Sequence, residues 1–229
     1  MGRTSRAYIL GSFAAVVMLF GVAGQAHAVD VVAESACCNF TAGPFSQAQG
    51  ETSKFVNPAD SSAFHNLTST SAGPDGNALF ESETITRGTT SAVNGTQYLA
   101  AGSYPFVCTL HPGMAGDLIV EATGTPVARP GLKLSVLNQK LRQVRKSGKV
   151  KIKATALSAT SEATIDVKRG KKVLAKISAP KLAAGASRTI AVKLSKAGRK
   201  AMKNGKKVNV SISALIPFGK AAKANRILR

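Results

Sequence analysis

The sequence predicts an all-β protein made of two consecutive β-sandwich domains, and three observations carry that expectation. In the first half, short apolar runs are bounded by Gly, Pro, Asn, Asp and Ser, and no stretch keeps helical periodicity over a dozen residues. After Gly131, apolar and charged residues alternate with period two, as strands with one buried face require. Charge divides the 229 residues at the same place. Residues 29–128 hold two basic residues (Lys54 and Arg87) against nine acids, a net of −7. Residues 129–229 hold 27 Lys+Arg against Glu162 and Asp166, a net of +25. The whole-chain value of +20 is thus a sum of opposites. Three cysteines are too few for a disulfide framework, so each domain needs its own hydrophobic core.

The chain begins with Arg3 and Arg6, an apolar run from Tyr8 to Gly24, and the small-residue motif Ala26-His27-Ala28. That order predicts a secretory signal peptide over residues 1–28 rather than a membrane anchor. No later segment is apolar enough to span a bilayer. The mature chain is therefore expected to be exported, to the periplasm or to the outside of the cell in association with the envelope.

Within residues 29–124 the runs Thr52–Asn57, Thr96–Gly102, Ser103–Cys108 and Asp117–Ala122 read as short strands. Between the last two lies the informative segment. Cys108, His111 and Met114 follow a C-x-x-H-x-x-M spacing, with Pro112-Gly113 forcing a turn. Taken singly, a Met or a Cys is most often core filler. Such a loop, however, folds a thiolate, an imidazole and a thioether around one point. Soft sulfur with imidazole selects copper, and one Cys, two His and a Met make the blue-copper electron-transfer set. Zinc is the metallic rival for a Cys/His₂ set, and the thioether argues against it. Of the three histidines, His27 leaves with the signal peptide, so His65 is the second imidazole.

These residues resemble the small blue-copper proteins of the plastocyanin/azurin (cupredoxin) family, with a ligand loop most similar to those of amicyanin and pseudoazurin. The segment Gly50–Asn57 with His65-Asn66, and the segment Gly102–Val120, are similar to the family's early and late hallmarks. The resemblance implies a cupredoxin Greek-key β-sandwich over residues 29–124. It implies His65, Cys108 and His111 as equatorial copper ligands and Met114 as the axial one. Asn66 then supports the thiolate and ties the two ligand loops together. Two departures stand out: Ser53 occupies a usually apolar position, and the stretch from Asn57 to His65 is longer.

The expected function follows from that ligand set. All four positions around one copper ion, cycling between Cu(I) and Cu(II), belong to the protein, which leaves none open for substrate. No H-x-H pairs accompany it, which excludes a multicopper oxidase. An electron carrier is expected, not an enzyme. The resemblance places His111 at the surface, with Pro112, Gly113 and Ala115 as the apolar patch where a redox partner protein docks. Pro112 donates no N–H to the thiolate, which favours Cu(I). The alternatives are a non-redox copper carrier, and an envelope adhesion module with a structural metal site.

Cys37 and Cys38 lie outside that set. On a strand they would point to opposite faces. The readings are one buried and one exposed thiol, a strained vicinal pair, a second metal site or an intermolecular disulfide. The Asn-x-Thr triplets at Asn39, Asn66 and Asn94 are weak sequon signals.

Residues 125–131 read as a Pro/Gly-containing linker, and residues 132–229 as a basic immunoglobulin-like β-sandwich of six or seven strands. Lys149, Lys151 and Lys153 alternate with Val150 and Ile152, and Arg169–Lys172 reads as a hairpin turn. Ser195–Asn204 reads as one short helix. The stretch Leu194–Val210 resembles lysine-rich Ig-like modules appended to exported bacterial proteins, which implies attachment rather than chemistry. The lysines either solvate strand faces or hold an anionic envelope polymer or membrane surface. Nucleic acid is the third option, and the single aromatic after Arg129, Phe218, argues against it by leaving no stacking platform.

Overall fold

The computed structural model describes residues 27–160 and 163–229. The signal peptide expected over residues 1–28 lies, except for its last two residues, outside them. Among the described residues no helix is long and apolar enough to cross a membrane.

The acidic half packs two sheets face to face. In the first, β1 (Asp30–Val32) runs parallel to β3 (Lys54–Asn57), which pairs antiparallel with β5 (Thr89–Ala92). In the second, β2 (Phe45–Gln49) runs parallel to β7 (Ala115–Gly124). Strand β7 pairs antiparallel with β6 (Gly102–Val107), and β6 with the two-residue β4 (Thr68–Ser69). Alternation turns Val31 and Phe55 of one sheet toward Phe45, Phe106, Leu118 and Val120 of the other, and these six share one core. The Phe106 ring meets Phe40 edge-on, with centroids 4.9 Å apart, as ring quadrupoles favour. Cys108 and Met114 flank the β6–β7 connection and belong to the same core, so these candidate ligands are anchored in it.

Ser53, the departure from the family pattern, has a structural account. It is fully buried, its hydroxyl bonds the Gln47 side-chain oxygen, and its N–H donates to Thr96 Oγ1 at 3.0 Å. Gln47 Nε2 in turn donates to the carbonyls of Glu51 (3.1 Å) and Thr96 (3.3 Å). Polar groups linked in this way avoid the 1–3 kcal/mol, roughly, that each would cost if buried unpaired.

The same cluster corrects one expected strand. Thr96–Gly102 is not extended: Thr96–Tyr98 forms a turn of 3₁₀ helix, and regular strand resumes only at Gly102. Thr96 Oγ1 donates back to the Val93 carbonyl at 2.9 Å, and Gln97 Oε1 accepts the Gly95 N–H at 2.9 Å. These local side-chain bonds satisfy the backbone in place of a ladder.

Among the described residues, the basic half holds seven strands in two antiparallel sheets. One sheet orders β11 (Lys172–Ser178), β10 (Thr164–Arg169), β13 (Val208–Leu215) and β14 (Ala222–Leu228). The other orders β12 (Ser187–Lys193), β9 (Lys149–Ser158) and β8 (Gly131–Val136). Val150 and Ile152 are fully buried, while Lys149, Lys151 and Lys153 face out beside Lys193 of β12 and Lys133 of β8. Lysine stems and apolar partners thus separate onto the two faces that the sequence alternation implies.

Two short helices close this half. Helix α1 (Leu141–Ser147), absent from the sequence reading, buries Leu141 and Val144 and stops at the left-handed Gly148, whose N–H bonds the Val144 carbonyl at 2.8 Å. Helix α2 (Lys196–Met202) lies within the expected Ser195–Asn204. Ser195 caps it by accepting the Gly198 N–H at 2.9 Å.

The two halves keep separate cores, Val31–Val120 and Leu132–Leu228, and touch at a polar and aromatic seam. Asp75 Oδ2 accepts the Phe218 N–H at 2.9 Å, and the Arg129 guanidinium lies 5.8 Å from the Tyr98 ring centroid. Residues 125–128 between the cores are exposed.

Candidate metal centre

His65, Cys108 and His111 converge at one end of the acidic half, their ligating atoms within 4.8 Å of one another. Each arrives by a different local device. Cys108 follows the last residue of β6, so the strand direction aims it into the core. Pro112-Gly113 then reverses the chain, with Gly113 at φ 86°, a conformation glycine adopts without a Cβ penalty. Cys108 N–H donates to the Met114 carbonyl at 3.0 Å and Met114 N–H to the His111 carbonyl at 3.2 Å. Those two bonds close the ligand loop.

His65 comes from the long loop after β3. It exchanges backbone hydrogen bonds with Ile85, 3.1 Å outward and 2.8 Å in return. Asn57, fully buried, fastens the other side of the loop by donating to the carbonyls of Ala63 (2.9 Å) and Ile85 (3.3 Å). The extra residues between Asn57 and His65 are thus wound around a buried amide. Sequence reasoning missed Asn57 as a positioning residue; its place as the last residue of the Gly50–Asn57 segment, at the end of an apolar strand, was its signal.

The donor atoms fit a single ion. Cys108 Sγ lies 3.5 Å from His111 Nδ1 and 3.9 Å from His65 Nδ1. Metal–sulfur bonds of about 2.3 Å and metal–nitrogen bonds of about 2.0 Å, at angles near 120°, place sulfur and nitrogen roughly 3.7 Å apart. The two imidazole rings are 4.7 Å apart at 51°, so neither shields the sulfur from the other. His65 is completely buried, its Nε2 has no hydrogen-bond partner among the described residues, and Nδ1 is the nitrogen that faces the sulfur. Burial, followed by the charge of His111, holds the His65 imidazole below its ordinary pKa. A neutral imidazole is the form that ligates a metal.

Asn66 performs the tie expected of it. Its N–H points at Cys108 Sγ from 3.5 Å. Its side chain donates to Thr109 Oγ1 and accepts the Thr109 N–H, both at 2.8 Å. Met114 is fully buried at the end of the same loop. Around the half-buried His111, Pro112, Gly113 and Ala115 are exposed, joined by Leu110 at 47% and Phe64 at 61%.

Cys37 and Cys38 form a disulfide and are both half-buried, which selects the vicinal pair among the sequence readings. Cys108 is a free, buried thiol. The pair does not lie on a strand, where its side chains would diverge. Both residues are left-handed, at φ 73° and 76°, in the turn that follows β1.

No protein-family model matches the chain, and no curated protein matches it in sequence. Among solved structures it is similar to amicyanin from Paracoccus versutus, at 29% identity over 42% of this chain and 84% of that one, with a TM-score of 0.31. A mutant amicyanin in its reduced Cu(I) form at pH 4 matches at 23% identity over 41% and 82%, with a TM-score of 0.34. A marsupial T cell receptor aligns with 88% of this chain and 97% of its own at 11% identity, with a TM-score of 0.28. These are likenesses of limited extent, and the functional reading is carried by the site's own geometry.

Proposed function

We propose that the protein is an exported, cupredoxin-like electron carrier that holds one type 1 copper ion between His65, Cys108 and His111, with Met114 as axial ligand. The single observation that carries this reading is the position of the Cys108 sulfur, 3.5 Å and 3.9 Å from two imidazole Nδ1 atoms. When bound, copper supplies a one-electron couple in a soft sulfur and imidazole field. The chain does the rest. Buried His65 and Cys108 keep water away, and the loop bonds between Cys108, His111 and Met114 keep the ligands from rearranging as charge changes. The Asn66 N–H stabilises the thiolate, while Pro112 contributes none, so the sulfur is sparsely hydrogen-bonded.

His111, half-buried among Leu110, Pro112, Gly113 and Ala115, is the route by which an electron enters or leaves, and this apolar rim receives the redox partner. The basic half localises the carrier through the outward lysines of β9 and its neighbours, which suit an anionic envelope polymer or membrane surface. The decisive experiment adds Cu(II) to the purified protein. An intense thiolate-to-copper absorption band is expected, absent in Cys108→Ala. No band, or a band that survives the substitution, would overturn the assignment. A non-redox copper carrier instead shows binding without a reversible one-electron couple.

A further inference from the structure

The disulfide pair left over by the copper reading is not remote from it. Cys37 and Cys38 bring their sulfurs within 4.8 Å of a ring nitrogen of His111, and all three residues are half-buried. The loop is held for this. Glu34 N–H donates to the Asn39 carbonyl and Thr41 N–H to the Val32 carbonyl, each at 2.9 Å, and Ala33 pairs with Phe40. Phe40 anchors the far end by packing edge-on against Phe55 and Phe106 in the core. Between these fixed ends, two successive left-handed residues turn both sulfurs into one place instead of to opposite sides.

We propose that Cys37, Cys38 and His111 form a second, redox-gated Cu(I) site that shares His111 with the buried centre. In the disulfide state the two sulfurs are bonded to each other and bind metal poorly. A dithiol reductant supplies two electrons and two protons. The Cys37–Cys38 bond breaks, two thiols form, and the reductant becomes its own disulfide. On binding Cu(I) the two thiols release their protons to solvent, and two thiolates and one imidazole hold the ion. Two soft thiolates with an imidazole, and no carboxylate in the group, suit Cu(I) or Zn(II), and the adjoining copper centre favours Cu(I). Because His111 belongs to both groups, an ion held here is already at a ligand of the buried centre, and reduction of the pair opens a loading position at its mouth. The choice of copper rests on the proposed function; the grouping of the three residues does not.

The test uses Cys108→Ala protein, in which the buried centre is disabled, and titrates Cu(I) against a chromophoric Cu(I) chelator. The reduced protein is expected to withdraw one Cu(I) per chain from the chelator, and the oxidised protein none. Adding His111→Ala should weaken the reduced form's hold by about tenfold or more. Substituting both cysteines by serine, or alkylating the reduced pair in case that variant does not fold, should abolish it. Equal binding in the oxidised and reduced forms, binding that survives alkylation, or a preference for Zn(II) over Cu(I) in the same competition would overturn the proposal. The blue band of the unsubstituted protein reports separately on the buried centre, so either reading can fail alone.

Discussion

Asn66 and Thr109 grip each other through two reciprocal hydrogen bonds of 2.8 Å, side-chain amide to hydroxyl and backbone N–H to amide oxygen. Each residue directly follows a candidate ligand, His65 or Cys108, so this clamp sets the separation of the two ligand-bearing loops. Neither residue needs to touch the metal to control it.

Removing the clamp is therefore expected to act twice. Asn66→Ala should lower the stability of the metal-free protein by about 1–2 kcal/mol, two ordinary hydrogen bonds near the surface. It should also broaden or shift the blue band of the copper-loaded protein. Chemical denaturation and absorption spectroscopy on the same preparation measure both. An unchanged spectrum would show that the loops hold their spacing without the clamp.

Asn57 supports His65 from inside. Asn57→Ala removes one donor each from the half-buried Ala63 carbonyl and from the Ile85 carbonyl, which keeps the His65 N–H, at a cost of about 1–3 kcal/mol. Because the loop then loses its centre, copper should dissociate faster as well. Stopped-flow chelator competition measures that rate, and Asn57→Asp, which keeps the shape but not the donor, should reproduce the loss.

The buried imidazole makes the metal-free protein sensitive to acid. The His65 pKa is lowered by burial first and by His111 second, so the folded chain binds fewer protons there than the unfolded chain. A depressed histidine contributes stability that is fully present above the unfolded value of about 6.5 and is lost as pH falls through it toward the folded value. The denaturation midpoint of metal-free protein should fall as the pH drops below about 6.5, and His65→Gln should flatten that part of the profile. A midpoint that stays level over this range would contradict the burial argument.

The seam between the halves is electrostatic at one point. Asp75→Ala removes the carboxylate that accepts the Phe218 N–H, and with it the bond to the nearby Asn77 N–H at 3.3 Å. Hydrogen exchange at the Phe218 amide should accelerate, and residues 125–128 should be cleaved sooner by protease. Raising the salt concentration should have the same effect in smaller measure, because exposed charges are screened over roughly 8–10 Å. Equal exchange rates in the two proteins would place the seam's stability in the contact of Arg129, Tyr98 and Phe218 instead.

Much of the architecture is legible in residue order. Period-two alternation places β9, the turn expected at Arg169–Lys172 falls between β10 and β11, and the Ser195 cap marks α2, because burial on one face, turning and capping are decided by neighbours along the chain. The Cys108, His111 and Met114 loop is legible for the same reason, being a single turn whose Pro112-Gly113 reverses it. Where the signal is weak, the reading fails. Strand β2 contains the buried Gln47, and Thr96–Tyr98 coils around its own side chains, so neither shows an apolar pattern of the right period. Helix α1 buries only Leu141 and Val144, too few positions to establish a helical repeat.

The sequence by itself thus determined the chemistry offered to a metal: one thiol, two imidazoles and a thioether in a basic-tailed chain whose charge changes sign near Arg129. Only the tertiary structure decided which distant segments meet. It set His65 against Cys108 through the Asn57 and Ile85 brace, linked Gln47, Ser53 and Thr96 in the core, and brought the sulfurs of Cys37 and Cys38 within 4.8 Å of a ring nitrogen of His111. The reason is physical. Spacing and periodicity record what a residue's neighbours along the chain require, whereas contacts between distant segments are fixed by how two sheets pack, with Phe40 and Phe106 interlocked between them.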